Sequence, residues 1–172
     1  LKVAVGTGTQ KLLKELSIQK TDLVDLGDGV LGSWFANLFR IERRKCVLFT
    51  NDRTLYSVLL FGLRKPDFDS LGLRFRDGLI ANLQTAGLPA DKVASIGIAC
   101  QPVAWGATNS RSVLGSMNDM ISITKHMIAI KRHETEEEIA LQNHQLNRMP
   151  MSSLKMVRPI DEMRAALEEW TP

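Results

Sequence analysis

The sequence predicts an α+β protein: a mostly antiparallel sheet of roughly four or five strands, helices packed on one face, and a helical C-terminal arm. Three observations lead there. Apolar runs at WFANLFRI, RKCVLFT and LYSVLLFGL follow one another between residues 34 and 63, with connections too short for a crossover helix. Two longer segments carry apolar residues at helical spacing, one after Asp69 and one after Ser110. Beyond residue 133 the chain turns acidic and reads as further helix.

The elements follow in order. The opening LKVAV is a short strand candidate, and GTGTQK is a turn leading into a short helix at KLLKEL. Thr7 and Gln10 have the spacing of a capping box, which satisfies the first free amides of that helix. Residues 27–33, GDGVLGS, form a glycine-rich loop. The three apolar runs then make an antiparallel meander. Its middle run is apolar almost throughout and belongs in the sheet interior. Pro66 reads as a breaker.

Leu71, Phe75, Leu79 and Leu83 recur every four residues, so 69–87 is a helix, with Asp69 or Ser70 as its cap and Gly87 at its end. PADKVASIGIA is a second short helix and QPVAWGAT another strand. From Arg111 to Lys131, Val113, Met117, Met120, Thr124 and Met127 draw a stripe that Leu114, Ile121 and Ile128 widen. Thr135 and Glu138 form a capping box for a helix over 135–147, and Pro159 suits the first turn of a final helix.

At 172 residues, 44% apolar and 24% charged, the chain has ordinary globular composition and can bury a core unaided. We divide it into a core domain, 1–133, and an acidic helical extension, 134–172. Cys46 and Cys100 lie far apart in apolar stretches and read as buried thiols of a reducing compartment. The start has no basic region followed by a long apolar one, as a signal peptide would, and no apolar run reaches membrane length. The expected location is the cytoplasm. The net charge of +3 is too small to imply nucleic acid by itself. Its distribution is uneven: residues 40–76 carry a net +5 and residues 134–172 a net −4. These regions can pair within one chain or between copies.

One phrase occurs twice. TNDRT begins at Thr50 and TNSRS at Thr108, each after an apolar, strand-like stretch. Asn, Ser and Thr there suit turns and helix caps, and Asn109 or Ser110 suits the cap of the long helix. Arg111 in the first turn of that helix opposes the helix dipole, which favours an acid or a bound anion beside it. If the two preceding strands are neighbours, Asn51, Arg53, Asn109, Arg111 and Ser112 form one site for a phosphate or carboxylate, because guanidinium forks match such groups. The competing reading is two copies of one turn.

These blocks also carry a resemblance. KCVLFTNDRTLYSV and TNSRSVLGSMNDM, with LGSWFANLFRI upstream, resemble the marker blocks of a bacterial family of unknown function. The resemblance runs from KLLKEL to about residue 150 and implies no activity.

Other chemistry is poorly supported. GTGTQK lacks the spacing of a phosphate loop, and GDGVLGS leads into no helix signal. His126, His133 and His144 show no metal-ligand spacing. No nucleophile elbow is present, and Cys46 lies in an apolar strand. Arg40, Arg43, Arg44 and Lys45, downstream of Trp34, Phe35 and Phe39, are the candidate contacts to nucleic acid, though a solvated turn over core aromatics explains them better. The expectation is therefore a cytosolic interaction module that self-associates, with no catalytic residue, metal or cofactor assigned, and with an exposed apolar face on the 135–147 or 159–170 helix. A small-anion ligand or enzyme site at the doubled phrase is the alternative.

Overall fold

The computed structural model describes residues 2–6, 10–23, 31–99, 104–108, 110–131 and 135–170. Its strands are β1 (Lys2–Gly6), β2 (Trp34–Ile41), β3 (Arg44–Asn51), β4 (Ser57–Leu63) and β5 (Ala104–Thr108). Its helices are α1 (Gln10–Glu15), α2 (Lys65–Asp69), α3 (Leu71–Thr85), α4 (Ala90–Ala99), α5 (Arg111–Lys131), α6 (Glu136–Leu146) and α7 (Pro159–Glu169). The α+β class holds, and each expected strand forms. The sheet order is β4-β3-β2-β1-β5. The meander β2-β3-β4 is antiparallel, while β1 runs parallel to both β2 and β5.

Helices cover both faces of this sheet, where the sequence reading placed them on one. The reason is β3. Val47 and Phe49 point to one face, Cys46 and Leu48 to the other, and all four are fully buried. A strand apolar on both faces needs cover on both. On the first face Trp34, Ala36, Val47, Phe49 and Val58 meet α1, α3, α4 and α7. Phe75 of α3 stacks on Phe49 with ring centroids 4.1 Å apart, and Trp34 meets its edge at 4.9 Å. These are favourable aromatic arrangements. The α3 stripe of Leu71, Phe75, Leu79 and Leu83 is buried in full. On the second face Phe35, Cys46, Leu48 and Leu59 meet Val113, Met117, Met120, Ile121 and Ile128 of α5.

Pro66 does not break the chain into a loop. It sits in the first turn of α2, where a missing N–H costs nothing. Gly87, at φ 74°, ends α3 as expected, with its N–H on the carbonyl of Gln84 and that of Leu88 on Leu83. The Thr135/Glu138 capping box of α6 forms reciprocally. The Thr7/Gln10 box lies partly outside the described residues, because Thr7 does.

The C-terminal helices spend their apolar faces within this chain. Leu146 and Met151 enter the second core, and Ile160, Met163 and Leu167 the first. Among the described residues, the one large apolar side chain exposed on α6 is Leu141, at 47%, and α7 has none. A continuous apolar face is thus not displayed by either helix.

The polar side of α6 closes the outer edge of the sheet. Asn147 accepts the N–H of Ser57 at 2.7 Å and donates to its carbonyl at 2.7 Å. One helical turn earlier, Asn143 does the same for Leu59, at 2.7 and 3.1 Å. Four helical residues rise about 6 Å, and two strand residues advance about 6.6 Å. Paired asparagines at that spacing therefore replace the missing strand beside β4. Both are nearly inaccessible to solvent, and so are the groups they satisfy.

Candidate functional site

The first copy of the doubled phrase is a buried turn. Asn51 has no solvent exposure. Its side-chain oxygen accepts the N–H groups of Arg53 and Thr54 and the hydroxyl of Thr54, and its amide donates to the carbonyl of Leu31 at 2.8 Å. That bond ties the turn to the end of the glycine-rich loop. Asp52 adds two more bonds to Ser33: its carboxylate accepts the Ser33 N–H at 2.9 Å, and its own N–H donates back. Partial burial pushes the Asp52 carboxyl up from its usual range, against the pull of the Ser33 amide and the Arg53 charge. Gly32 is required at this junction. It has φ +81°, and a Cβ there would lie 2.2 Å from an Asp52 carboxylate oxygen. Asn51 is fully occupied by structure, and Arg53 is exposed.

The second copy opens α5. Arg111 and Ser112 are exposed in its first turn, and the N–H of Leu114 donates to Ser110. Asn109 lies outside the described residues. The strands leading into the two copies are not neighbours, because β2 and β1 stand between β3 and β5. At the usual strand spacing, that separates them by about 14 Å across the sheet. The sheet order therefore gives no support to a shared site built on adjacent strands.

The predicted basic set is distributed over both faces of the β2-β3 hairpin. Arg44 lies over the Phe61 ring at 5.3 Å. Lys45 bonds Glu15 of α1 at 2.7 Å and sits 5.4 Å from the Phe68 ring centroid. Arg43 occupies the tight turn and is exposed. Arg40 is exposed as well, and its guanidinium donates to the Arg43 carbonyl.

Arg40 also belongs to a larger arrangement. The register of β1 on β2 ends at Val5 opposite Ala36, so β2 runs on past its neighbour. Beside this overhang lies a cleft of about 520 Å³. Among the described residues it is lined by Lys11, Lys14 and Glu15 of α1, Leu38, Phe39 and Arg40 of β2, and Lys125 of α5. Four of the seven are cations. The one carboxylate, Glu15, is engaged by Lys45. Phe39 supplies part of the wall, with the Lys125 ammonium 5.8 Å from its ring centroid. Such a volume lies in the range of small-ligand sites.

Sequence reasoning found Arg40 and missed Lys11, Lys14 and Lys125. The helix KLLKEL holds the signal for two of them. Leu12 and Leu13 face the core, which turns Lys11 and Lys14 outward together. Lys125 gives no such sign, since it is one of several polar residues on the outer face of α5.

Neither cysteine nor histidine enters the cleft among the described residues. Cys46 is buried, and burial pushes its thiol up, away from the reactive thiolate. Cys100 and His133 are outside the described residues. Among those described, no group of three His, Cys, Asp or Glu side chains is placed to hold a metal ion, and no helix is long and apolar enough to cross a membrane. A second cavity, between α3 and α6 beside Tyr56, Asn82 and Asn143, offers only about 10 Å³, room for about one water.

A family profile described as "Domain of unknown function (DUF6933)" matches residues 7–162. The chain belongs to this family. The match includes both copies of the doubled phrase, the cleft and the asparagine pair of α6. It runs past residue 150, the end of the resemblance read from the sequence, into the first turn of α7. No curated protein and no solved structure matches the chain.

Proposed function

We propose that the protein binds a small ligand bearing phosphate or carboxylate in the cleft between α1, β2 and α5. One observation supports this above the others. Lys11, Lys14, Arg40 and Lys125 come from three separate elements and surround one cavity, where the one carboxylate among the described lining residues is already paired. Like charges gathered in a concave site repel one another, and an anion relieves that repulsion. This moves the anion reading from the doubled phrase to the open end of β2. Among the described residues the lining offers cations and apolar wall, which suits the binding of an anion.

Titration calorimetry with inorganic phosphate at low ionic strength tests the proposal. The expected result is saturable binding that weakens with added sodium chloride. Arg40→Gln and Lys14→Gln each weaken it by about twofold to fivefold, as exposed charge contacts do. Absence of binding, or binding indifferent to both substitutions, overturns the assignment.

A further inference from the structure

The cations of the cleft stand on opposite sides of the sheet. Leu12 and Leu13 of α1 pack into the first core, and the apolar face of α5 packs into the second. Lys11 and Lys14 therefore approach the cleft from one face and Lys125 from the other. Between them runs the overhanging end of β2. Its side chains alternate, so Leu38 packs with the first core and Phe39 with the second. Arg40 lies on the Leu38 side. The cavity wraps around a strand edge, with positive charge at both ends and an apolar middle.

From this geometry we infer that the ligand carries at least two separated anionic groups, one held by Lys11, Lys14 and Arg40 and the other by Lys125, so that it bridges α1 and α5 around the edge of β2. The inference rests on the anion-binding reading above and deepens it. A lone phosphate reaches one charge cluster and leaves the other uncompensated. A linear polyphosphate, or a small molecule phosphorylated or carboxylated at both ends, satisfies both at once. The second contact is then intramolecular and gains the advantage of linked sites. A nucleic-acid strand is a different ligand class. Its long run of phosphates gains from cations beyond the cleft, whereas the cleft needs only a short span.

The test compares inorganic phosphate with sodium tripolyphosphate by calorimetry in one low-salt buffer, for the native chain, Lys125→Gln, Lys125→Arg and the double variant Lys11→Gln/Lys14→Gln. All substituted positions are exposed, and unchanged thermal midpoints confirm folding. The native chain should bind tripolyphosphate at least tenfold more tightly than phosphate. Lys125→Gln should shrink that ratio to threefold or less, Lys125→Arg should retain it, and the double variant should also collapse it. A ratio near one in the native chain overturns the bridging inference while leaving anion binding intact. A high ratio that survives Lys125→Gln also overturns it, because tripolyphosphate is then merely the more charged ion. A single-stranded oligonucleotide that binds more tightly than tripolyphosphate assigns the surface to nucleic acid instead. Failure of inorganic phosphate to bind, whether or not tripolyphosphate does, removes the parent reading as well.

Discussion

The antiparallel unit β2-β3-β4 has two outer edges, and the protein treats them in opposite ways. Along β4, every outward backbone group at Ser57 and Leu59 is matched by a side-chain amide of α6. Along β2, the neighbour β1 covers the beginning of the strand and then stops, leaving its far end beside an open cleft. An unpaired strand edge invites association with other chains, and proteins block it by cover or by charge. Here cover protects one edge and lysines and arginines ring the other. Cover leaves no room for a ligand. Charge does, and it repels a second basic chain while attracting an anion. The comparison locates stability on one side of the sheet and binding on the other.

That contrast is tested most severely at the closed edge. Asn147→Ala removes both partners of Ser57 and leaves its amide and carbonyl buried. The expected cost is about 2–4 kcal/mol in denaturant unfolding, since each stranded buried group is expensive. A loss below 0.5 kcal/mol, set by the ordinary scatter of surface substitutions, would show that the edge does not depend on the asparagines. Next in size is Gly32→Ala, where the chain enters β2. Strain at positive φ and the clash with Asp52 should together cost about 1–3 kcal/mol. An unchanged midpoint would mean that the Asp52 turn yields freely.

The same turn gives a smaller, pH-dependent effect. Asp52 binds its proton more tightly in the fold than in the unfolded chain, where the ordinary value is 3.8. Its favourable contribution is therefore complete below that value and is lost as pH rises through the folded pKa. Asp52→Asn keeps an oxygen for the Ser33 amide but has no charge to bury. Its stability relative to the native chain should increase between pH 3.5 and pH 7, by well under about 1 kcal/mol because the group is only partly buried. Parallel stability curves would contradict the role given to burial. Smallest of all is the effect of Arg40→Gln on folding, expected within about 0.5 kcal/mol. A larger loss would make the open edge structural too and erase the contrast.

What the sequence disclosed was mostly local. The α3 stripe, the α5 stripe and the Thr135/Glu138 box depend on residues three or four apart, and all are present. Turn chemistry at Asn51 was equally readable, because its partners Arg53 and Thr54 adjoin it. Nothing comparable announces Asn143 and Asn147 in a polar helix, since the groups they satisfy lie 84 and 90 residues away. The cover on the second face was implied by the doubly apolar β3, but which helix supplies it is a matter of topology. The cleft was half legible. Arg40 stood out in a basic cluster, whereas Lys125 acquires its position only when α5 crosses the face opposite α1.

The asparagine closure has a consequence during synthesis. Ser57 and Asn147 are separated by 90 positions, so β4 leaves the ribosome well before the helix that covers it. At about 5–20 residues per second, the interval is on the order of 5–20 s. Through that time the meander can pair internally while its β4 side stays uncovered. The nascent chain therefore passes through a window of vulnerability to edge-on association, which closes only when α6 and Asn147 have emerged. Slow translation, or truncation before α6, prolongs that window without altering a single contact in the meander itself.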